Sequence, residues 1–277
     1  MMGTQIKLGL IGDNIAVSQA PRLHHLAGQI AGLDVRYDRL VPRDLGLDFD
    51  AVFAMARDKG YRGLNITYPY KERVVASVTV LDPLVRAIGA VNTVVFGPDG
   101  PVGHNTDHSG FVAAYRAARA AAPGVVCTIG TGGVGRAVAF GLIALGAKVV
   151  HLVDIDLAKA EALARDLRKA SPATRVVVVT GADEAAQGVD GLINCTPVGM
   201  VGYGGTPLPA QAMQGAGWAF DAVYTPMDTA FLQDAAAAGL SVISGWELFF
   251  GQGIDAWHIF TGVPMDAKTL RAALLAE

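Results

Sequence analysis

Glycines follow one apolar, β-rich run at the spacing of a pyrophosphate-binding turn. The run Gly-Val-Val-Cys-Thr-Ile leads into Gly130, Thr131, Gly132, Gly133, Val134 and Gly135, which match the pattern G-x-G-x-x-G. Such glycines allow a tight turn and a close approach of backbone to pyrophosphate, and the helix that follows offers unpaired N–H groups to the anion. Glycine-rich turns are common, so the match depends on its context of a preceding strand and a following helix. We therefore predict a dinucleotide site at residues 130–135.

A carboxylate stands where the same pattern requires one. Asp154 ends the next apolar run, about 20 residues beyond the glycines. We expect it to accept hydrogen bonds from the adenosine ribose hydroxyls. An acidic group repels a 2′-phosphate, and residues 155–158 read Ile-Asp-Leu-Ala, with no arginine to bind one, so NAD is favoured over NADP. Alternatively, Asp154 caps the helix that begins near Asp156, and the two roles can coexist.

Three polar clusters occur where strand ends should meet loops. They read Asn-Ile-Thr-Tyr-Pro-Tyr-Lys at 65–71, Gly-Ala-Val-Asn-Thr at 89–93 and Gly-His-Asn-Thr-Asp at 103–107. Ligands of open α/β sheets bind beyond the carboxyl ends of strands. Taken alone, Lys71 is typical of a solvated helix start, Asp107 of a helix N-cap, and the asparagines and threonines of ordinary turns.

The elements that must position these residues alternate between short β-rich runs and longer helical ones. The first series reads as a strand at Ile-Lys-Leu-Gly-Leu-Ile-Gly, a helix started by Pro21, a strand at 33–41, a helix at 48–59 and a strand at 62–67. A second series follows an alanine-rich helix at 111–122 and contains the glycine turn, a helix to about Leu145 and further strands. This alternation predicts mostly parallel sheets with helices on their faces.

Length, composition and net charge exclude several classes of protein. With 277 residues, 52% apolar and 17% charged, the chain fits one large or two modest domains and not a disordered or fibrous protein. A net charge of −3 without a dense Lys/Arg block gives no reason to propose nucleic acid or membrane as a partner. No signal peptide, metal-ligand spacing or disulfide pattern for Cys127 and Cys195 is evident, so we expect a cytoplasmic protein without a metal.

Together the polar clusters resemble the shikimate/quinate dehydrogenase family, whose motifs include N-[VI]-T-x-P-x-K, G-A-[VI]-N-T and G-x-N-T-D in this order. The likeness extends over nearly the whole chain, to Gly12 through Ser18 with Pro21, the glycine turn, residues 194–200, Asp221 through Tyr224 with Pro226, and Gly245 leading to Gln252. It implies an α/β fold with an N-terminal α/β substrate domain and a Rossmann-type doubly wound NAD-binding domain. The expected boundaries are 1–107, completed by C-terminal helices at 245–277, and 108–244.

The resemblance implies that Lys71 and Asp107 form a catalytic acid–base pair. Oxidation of a secondary alcohol releases a hydride and a proton, and NAD takes only the hydride, so a side chain must accept the proton. Burial disfavours the charged form of a lysine and favours its use as a base, whereas a nearby carboxylate acts in the opposite direction. The sequence leaves the balance between these effects open.

The resemblance also implies two sets of binding residues. The substrate set is Ser18, Asn65, Thr67, Asn92, Tyr224 and Gln252, whose polar groups suit a ring with several hydroxyls. The cofactor set comprises residues 130–135, Asp154, Thr196, Ala222 and Gly245. Without the resemblance, Tyr224 would be a half-buried core aromatic and Gln252 a helix-surface residue. The Asp154 strand end is closer to the NAD-using branch than to the NADP branch, which typically has Asn-Arg-Thr there.

One position departs from the family pattern. Where the family has S-x-[ST]-P, with two hydroxyls for the substrate carboxylate, this chain has Ser18-Gln19-Ala20-Pro21. A hydrogen bond to a charged group contributes about 1.5–3 kcal/mol, so its loss weakens binding roughly ten- to a hundredfold. Either another group replaces it or the natural substrate differs. His24-His25 replaces the usual His-Asn, and we expect a structural or surface role for both, although either ring could approach an acidic substrate.

We therefore expect an NAD-dependent oxidoreductase that interconverts a ring hydroxyl and a ketone of shikimate- or quinate-type acids. Whether its role is biosynthetic, in the shikimate pathway, or catabolic, in quinate degradation, is left open. Two alternatives remain: a diverged member that acts on another ring acid such as aminoshikimate, motivated by Ala20, and a non-catalytic NAD-responsive binding protein.

Overall fold

The computed structural model describes residues 5–276 and contains two compact units. The first unit comprises the described residues up to Thr106 together with those from Gln252 onward, and the second unit comprises Asp107–Gly251. Each unit has its own β-sheet, with helices between successive parallel strands. The predicted α/β class is confirmed.

The first unit follows the predicted alternation of strands and helices as far as β3. Its elements are β1 (Ile6–Ile11), α1 (Ala20–Ala31), β2 (Val35–Leu40), α2 (Pro42–Leu45), α3 (Phe49–Asp58), β3 (Gly63–Ile66), a 3₁₀-helix (Arg73–Ser77), α4 (Pro83–Ile88), β4 (Thr93–Gly97) and β5 (Gly100–His104). Local signals set the helix ends. Pro21 lies in the first turn of α1, the Asp48 side chain accepts from Ala51 N–H at the start of α3, and Gly32 ends α1 with a φ of 67°.

The sheet of the first unit has the strand order β2-β1-β3-β4-β5. β1 pairs in parallel with β2 and β3, whereas β3–β4 and β4–β5 are antiparallel. The mostly parallel pairing that was expected is thus interrupted in the first sheet only at β4 and β5, which form a hairpin. That hairpin places the second and third polar clusters at the ends of adjacent strands.

The two faces of the first sheet carry different side chains. On one face Leu64 and Ile66 pack in a core with Val52 and Phe53 of α3. The other face carries Asn65 of β3 and Tyr37 of β2, and His24 of α1 stacks on the Tyr37 ring with a centroid distance of 4.8 Å. The face opposite the α3 core therefore holds the polar residues.

The second unit begins inside α5 and contains a six-stranded sheet. Its elements are α5 (Thr106–Ala118), β6 (Val125–Ile129), α6 (Gly133–Ala144), β7 (Val149–Val153), α7 (Leu157–Ala170), β8 (Arg175–Val178), α8 (Ala182–Ala185), β9 (Gly191–Asn194), a 3₁₀-helix (Ala210–Met213), β10 (Trp218–Asp221), α9 (Ala230–Ala237), β11 (Ser241–Ile243) and α10 (Gly245–Thr261), which continues into the first unit. α11 (Ala267–Leu275) closes the chain in the first unit.

All strand pairs of the second sheet are parallel, in the order β11-β10-β9-β6-β7-β8. β6 pairs with β7 on one side and β9 on the other, so the chain reverses its direction of winding at this strand. Dinucleotides bind at such a switch point, outside the carboxyl ends of the strands. The doubly wound architecture predicted for this part of the chain is confirmed.

Three details differ from the sequence-based expectation. α5 begins at Thr106 and ends at Ala118, so the last alanines of the 111–122 segment lie outside the helix. α9 and β11 were not anticipated. The division between the units falls inside α10 and not at residue 245, because Gly245 packs on the backbone of residues 221–223 and Gly251 packs on Gly110.

No helix among residues 5–276 is both long and apolar enough to cross a bilayer.

Candidate active site

Backbone hydrogen bonds join the polar clusters of the first unit. Val91 N–H donates to the Lys71 carbonyl at 2.8 Å, Ile66 N–H to the Asn92 carbonyl at 2.8 Å, and Asn92 N–H to the His104 carbonyl at 3.1 Å. These bonds connect the turn after β3 with the residues before β4 and at the end of β5. The three clusters, far apart in sequence, therefore lie beside one another.

The side chain of Asn65 is buried and fixed in orientation. The Tyr37 hydroxyl donates to its Oδ1 at 2.9 Å, and its Nδ2 donates to Thr93 Oγ1 at 3.1 Å and more weakly to the Asn92 carbonyl at 3.4 Å. Both hydrogens of Nδ2 are directed to protein acceptors, and the Asn65 side chain also hydrogen-bonds the His24 ring. Protein partners thus hold the Asn65 amide in one orientation.

A second buried network connects Asn92, Thr106 and Gln252. Asn92 Oδ1 accepts from Thr106 N–H at 2.8 Å, and Asn92 Nδ2 donates to Thr106 Oγ1 at 2.9 Å. Thr106 Oγ1 also lies 3.4 Å from Gln252 Oε1. The structure therefore brings together Asn65, Asn92 and Gln252, three residues of the predicted substrate set.

The other predicted residues of the first unit lie on the segments that follow β3 and β1. Lys71 is half-buried in the turn between β3 and the 3₁₀-helix. Thr67 is half-buried, and its N–H donates to the Ile11 carbonyl at 2.9 Å. Ser18 is buried just before α1, where its Oγ accepts from Ala20 N–H at 3.3 Å. Asp107 is 3% exposed in the first turn of α5 and follows Thr106 directly, but belongs to the second unit.

The structure places His24 and His25 differently. His24 is 1% exposed and stacks on Tyr37, with Trp257 and Phe260 nearby, whereas His25 is exposed. Desolvation lowers the pKa of His24 to about 3, although the Asn65 side chain acts in the opposite direction. The structural role expected for His24 therefore fits its burial. Within residues 5–276 no group of three or more His, Cys, Asp or Glu is placed to hold a metal ion.

The glycine turn of the second unit has a shape that larger residues cannot adopt. Gly130 has a φ of 96°, and a Cβ at Gly135 would overlap the Gly130 carbonyl oxygen. Gly132 is the N-cap of α6 and gives the helix no side-chain cap. The uncapped N-terminus of this 12-residue helix lies beside β6, at the switch point, and the turn therefore fits a pyrophosphate.

Asp154 is tied to the same turn. Its Oδ2 accepts from the N–H and the hydroxyl of Thr131, both at 2.7 Å, and its Oδ1 accepts from Asp156 N–H at 2.9 Å. Desolvation raises the pKa of Asp154, but the hydrogen bonds from Asp156 and Thr131 and the charge of Lys159 together lower it below its usual value. An ionised carboxylate thus stands at the end of β7, next to the glycine turn.

The remaining residues of the predicted cofactor set follow β9, β10 and β11. Thr196 donates from its N–H and its hydroxyl to Asn194 Oδ1, at 2.9 and 2.7 Å, and Ala222 N–H donates to the Asn194 carbonyl at 2.8 Å. Gly245 begins α10 where a Cβ would lie 2.5 Å from the Val223 carbonyl oxygen. The Tyr224 ring stacks on the Phe249 ring with a centroid distance of 4.5 Å. Both residues belong to the second unit, whereas the other predicted substrate residues belong to the first.

A buried carboxylate supports these loops and was not anticipated. Asp221 is 0% exposed and accepts from the Thr229 hydroxyl at 2.6 Å, Val223 N–H at 2.9 Å and Asn194 Nδ2 at 2.9 Å. Desolvation raises the pKa of Asp221 to about 6, although these three hydrogen bonds oppose the rise. The sequence signal for this role was its place at the end of an apolar strand.

Comparisons with known proteins agree with this geometry. The family model described as "Shikimate dehydrogenase substrate binding domain" matches residues 10–94. The chain is 39% identical to the shikimate dehydrogenase (NADP(+)) of Pseudarthrobacter chlorophenolicus, over 97% of this chain and 94% of that protein. It is 36% identical to the quinate/shikimate dehydrogenase (NAD(+)) of Corynebacterium efficiens, over 98% of both.

A solved structure is similar over its full length. The quinate dehydrogenase from Corynebacterium glutamicum, in complex with NAD, superposes with a TM-score of 0.87 at 34% identity and covers 99% of both chains. The relatives are more than 30% identical over nearly the whole chain, and the motifs and the two-unit fold agree with them. The chain belongs to the shikimate/quinate dehydrogenase family of oxidoreductases.

Proposed function

We propose that this protein reversibly oxidises a ring hydroxyl of a cyclic hydroxy acid to the ketone with NAD as the cofactor. The reaction interconverts shikimate with 3-dehydroshikimate, or quinate with 3-dehydroquinate. The observation that carries the proposal is the hydrogen-bonded set of Asn65, Asn92 and Gln252 in the first unit. Relatives that match nearly the whole chain are named for reactions of shikimate and quinate.

Polar groups of the substrate set suit a ring with several hydroxyls. Asn65 presents a polar amide whose orientation is fixed by its protein partners. Asn92 and Gln252 are held through Thr106, so their amides need little reordering when a ligand binds. We assign the remaining substrate contacts to Ser18, Thr67 and Tyr224.

Lys71 and Asp107 are proposed as the acid–base pair. A neutral Lys71 amine can accept the proton of the reacting hydroxyl and return it in the reverse direction.

Residues of the second unit are proposed to hold NAD. The turn at 130–135 would take the pyrophosphate and Asp154 the adenosine ribose, while Ala222 and Gly245 would approach the nicotinamide. Thr196 is a further proposed cofactor contact. NAD, when bound, accepts the hydride of the carbinol carbon, so the protein needs only to hold the ring and move the hydroxyl proton. We propose NAD over NADP because the carboxylate of Asp154 repels a 2′-phosphate.

The proposed roles of the domains follow from these assignments. The first unit would bind the ring acid and the second unit the dinucleotide. A cytoplasmic location and the lack of a nucleic-acid partner stay predictions.

The proposal is tested by the production of NADH from quinate or shikimate and by the variant Lys71→Ala. Removal of the amine should lower kcat at least about a hundredfold, in line with the contribution of general acid–base catalysis. The Kd for NAD should stay within about twofold, because no cofactor residue is changed. Lys59→Ala is the matched control, since Lys59 is an exposed lysine at the end of α3. Normal turnover by Lys71→Ala would remove Lys71 from the mechanism.

A second candidate substrate is an aminated ring acid such as aminoshikimate. The specific observation in its favour is Ala20, a buried residue that cannot donate the hydroxyl hydrogen bond typical of the family. The same assay across quinate, shikimate and aminoshikimate, each with NAD and with NADP, compares kcat/KM directly. A higher kcat/KM for the amine would select this candidate. Tight NAD binding without turnover of any ring acid would instead select a non-catalytic NAD-responsive protein.

A further inference from the structure

We propose that Arg39 binds the carboxylate of the ring acid and replaces the hydroxyl that is missing at Ala20. The inference rests on the proposed function, because it names the residue that recognises the acid group of the same substrate. Arg39 lies on β2 and is absent from the family motifs quoted above.

Strand register places Arg39 in the row of Asn65. Leu10 of β1 pairs with Arg39 on one side and with Asn65 on the other, and Asn65 pairs with Thr93 of β4. Residues paired in this way direct their side chains to the same face of a sheet. Arg39 therefore stands on the polar face, near the carboxyl end of its strand.

The guanidinium of Arg39 reaches the segment before α1. Its Nη2 donates to the Ser18 carbonyl at 2.8 Å. Ser18 is the residue whose hydroxyl the family uses for the substrate carboxylate. A positive charge thus lies beside the backbone of the residue that carries the single remaining hydroxyl of the S-x-A-P segment.

Most of the hydrogen-bonding capacity of Arg39 is unused within the first unit. A guanidinium has five N–H donors, and one of them bonds to Ser18. Arg36, on the same strand, pairs with Asp38 at 3.0 Å, and Arg73 pairs with Asp50 at 2.6 Å. Among residues 5–276 no carboxylate forms such an ion pair with Arg39. Its donors match a carboxylate, which an arginine can bind through two parallel hydrogen bonds.

The start of α1 adds to the positive potential. This helix has 12 residues, and its N-cap, Gln19, makes no side-chain cap hydrogen bond. The N-terminus of a helix attracts an anion through the partial charges of its N–H groups. The Ser18 hydroxyl lies at this helix start, where it accepts from Ala20 N–H. Arg39, Ser18 and the helix start together suit an anionic group.

The competing interpretation is that Arg39 only fixes the backbone of the segment that contains Ser18. The two interpretations differ in what a neutral substrate would show. A carboxylate binder distinguishes an acid from the corresponding carboxamide, whereas a residue that only shapes the segment affects both equally.

The test compares wild type and Arg39→Met with the ring acid that wild type oxidises fastest and with the carboxamide of the same ring. Loss of a charged hydrogen-bonded contact should raise KM for the acid about ten- to a hundredfold. The KM for the carboxamide, the kcat and the Kd for NAD should change less than about threefold. The Kd of the acid, measured by calorimetry, should rise in parallel with KM.

Arg36→Met is the matched control, because it makes the same change on the same strand but on the opposite face, where Arg36 pairs with Asp38. Its KM for the acid should equal that of wild type. Arg39→Gln gives the same comparison if Arg39→Met does not fold, because an amide can still donate to the Ser18 carbonyl.

Two results would overturn the assignment of Arg39 alone: an unchanged KM for the acid, or an equal rise for the acid and the carboxamide. If wild type binds neither quinate nor shikimate in the calorimeter, the proposed function fails and the role of Arg39 fails with it.

Discussion

At the scale of single residues, Asp154 shows how one carboxylate can serve both the fold and a ligand. Three hydrogen bonds, two from Thr131 and one from Asp156 N–H, connect it to the glycine turn and to the start of α7. The alternative role as a helix cap belongs instead to Asp156, whose side chain accepts from Ala158 and Lys159 N–H. A carboxylate has about four acceptor positions, so Asp154 retains capacity for a ribose hydroxyl.

The variant Asp154→Ser should change cofactor preference. Loss of the charged acceptor should lower kcat/KM with NAD about ten- to a hundredfold, while loss of the negative charge should raise kcat/KM with NADP. Lys159, whose charge acts on Asp154, would then favour a 2′-phosphate. Steady-state kinetics with each cofactor measure the ratio.

Asp156→Ser is the control for that variant, because serine also caps helices well and the change removes a charge only two residues away. Its NAD/NADP ratio should match that of wild type. An unchanged ratio in Asp154→Ser would show that another group sets the preference.

The glycine-turn pattern led to Asp154, and the resemblance to family motifs led to Asn65 and Asn92, because each lies in a motif read along the chain. Their ligand roles stay predictions. Tyr37 and Arg39 could not be predicted in this way. Their contacts with Asn65 and Ser18 depend on which strands are neighbours and in which register, and a single sequence does not contain that register.

At the scale of elements, the junction of β6 and α6 depends on the absence of side chains. The Cβ that alanine would add at Gly135 overlaps the Gly130 carbonyl oxygen, so the helix would have to move away from the turn. Gly135→Ala should therefore raise the Kd for NAD roughly ten- to a hundredfold, the equivalent of the 1–3 kcal/mol typical of overpacking. Fluorescence titration of NAD measures the change.

Gly181→Ala provides the comparison at another strand-to-helix junction of the same unit. A Cβ at Gly181 would meet only Glu184 Cβ, at 3.8 Å, which is ordinary contact. Its Kd for NAD should equal that of wild type. If Gly135→Ala binds NAD as tightly as wild type, the close packing of this turn has no part in holding the cofactor.

Elements whose apolar residues recur at a single clear spacing could be predicted from the sequence. Elements whose residues gave conflicting signals for strand, loop or domain boundary could not. β2, α3 and β3 follow apolar periodicity and agree with their predicted positions at 33–41, 48–59 and 62–67. The β4–β5 hairpin was missed although Gly97-Pro98-Asp99-Gly100 is a turn signal, because the polar clusters at its ends were interpreted as loops. α10 has a continuous helical pattern, so nothing in the sequence marks the residue where the two units divide.

At the scale of the whole molecule, two buried groups give stability opposite dependences on pH. The pKa of His24 is lowered from 6.5 to about 3 by burial, so its contribution to stability is present above pH 6.5 and is lost as pH falls toward 3. The pKa of Asp221 is raised from 3.8 to about 6, so its contribution is present below pH 3.8 and is lost as pH rises through 6. Between pH 4 and 6, a fall in pH therefore reduces the contribution of His24 to the free energy of unfolding and increases that of Asp221.

The variant Asp221→Asn should therefore expose the acid sensitivity that Asp221 masks. Asparagine is close to aspartate in shape, and its oxygen can keep the bonds from Val223 and Asn194 while Thr229 reorients its hydroxyl. A shift of about two pKa units corresponds to ~3 kcal/mol, so the free energy of unfolding of wild type relative to the variant should rise by about that amount from pH 7 to pH 4. Urea unfolding across this range measures the difference. Asp228→Asn is the matched control, because it makes the same chemical change at an exposed position of the following loop. Parallel profiles for Asp221→Asn and wild type would instead mean that the Asp221 carboxylate keeps its ordinary pKa despite its burial.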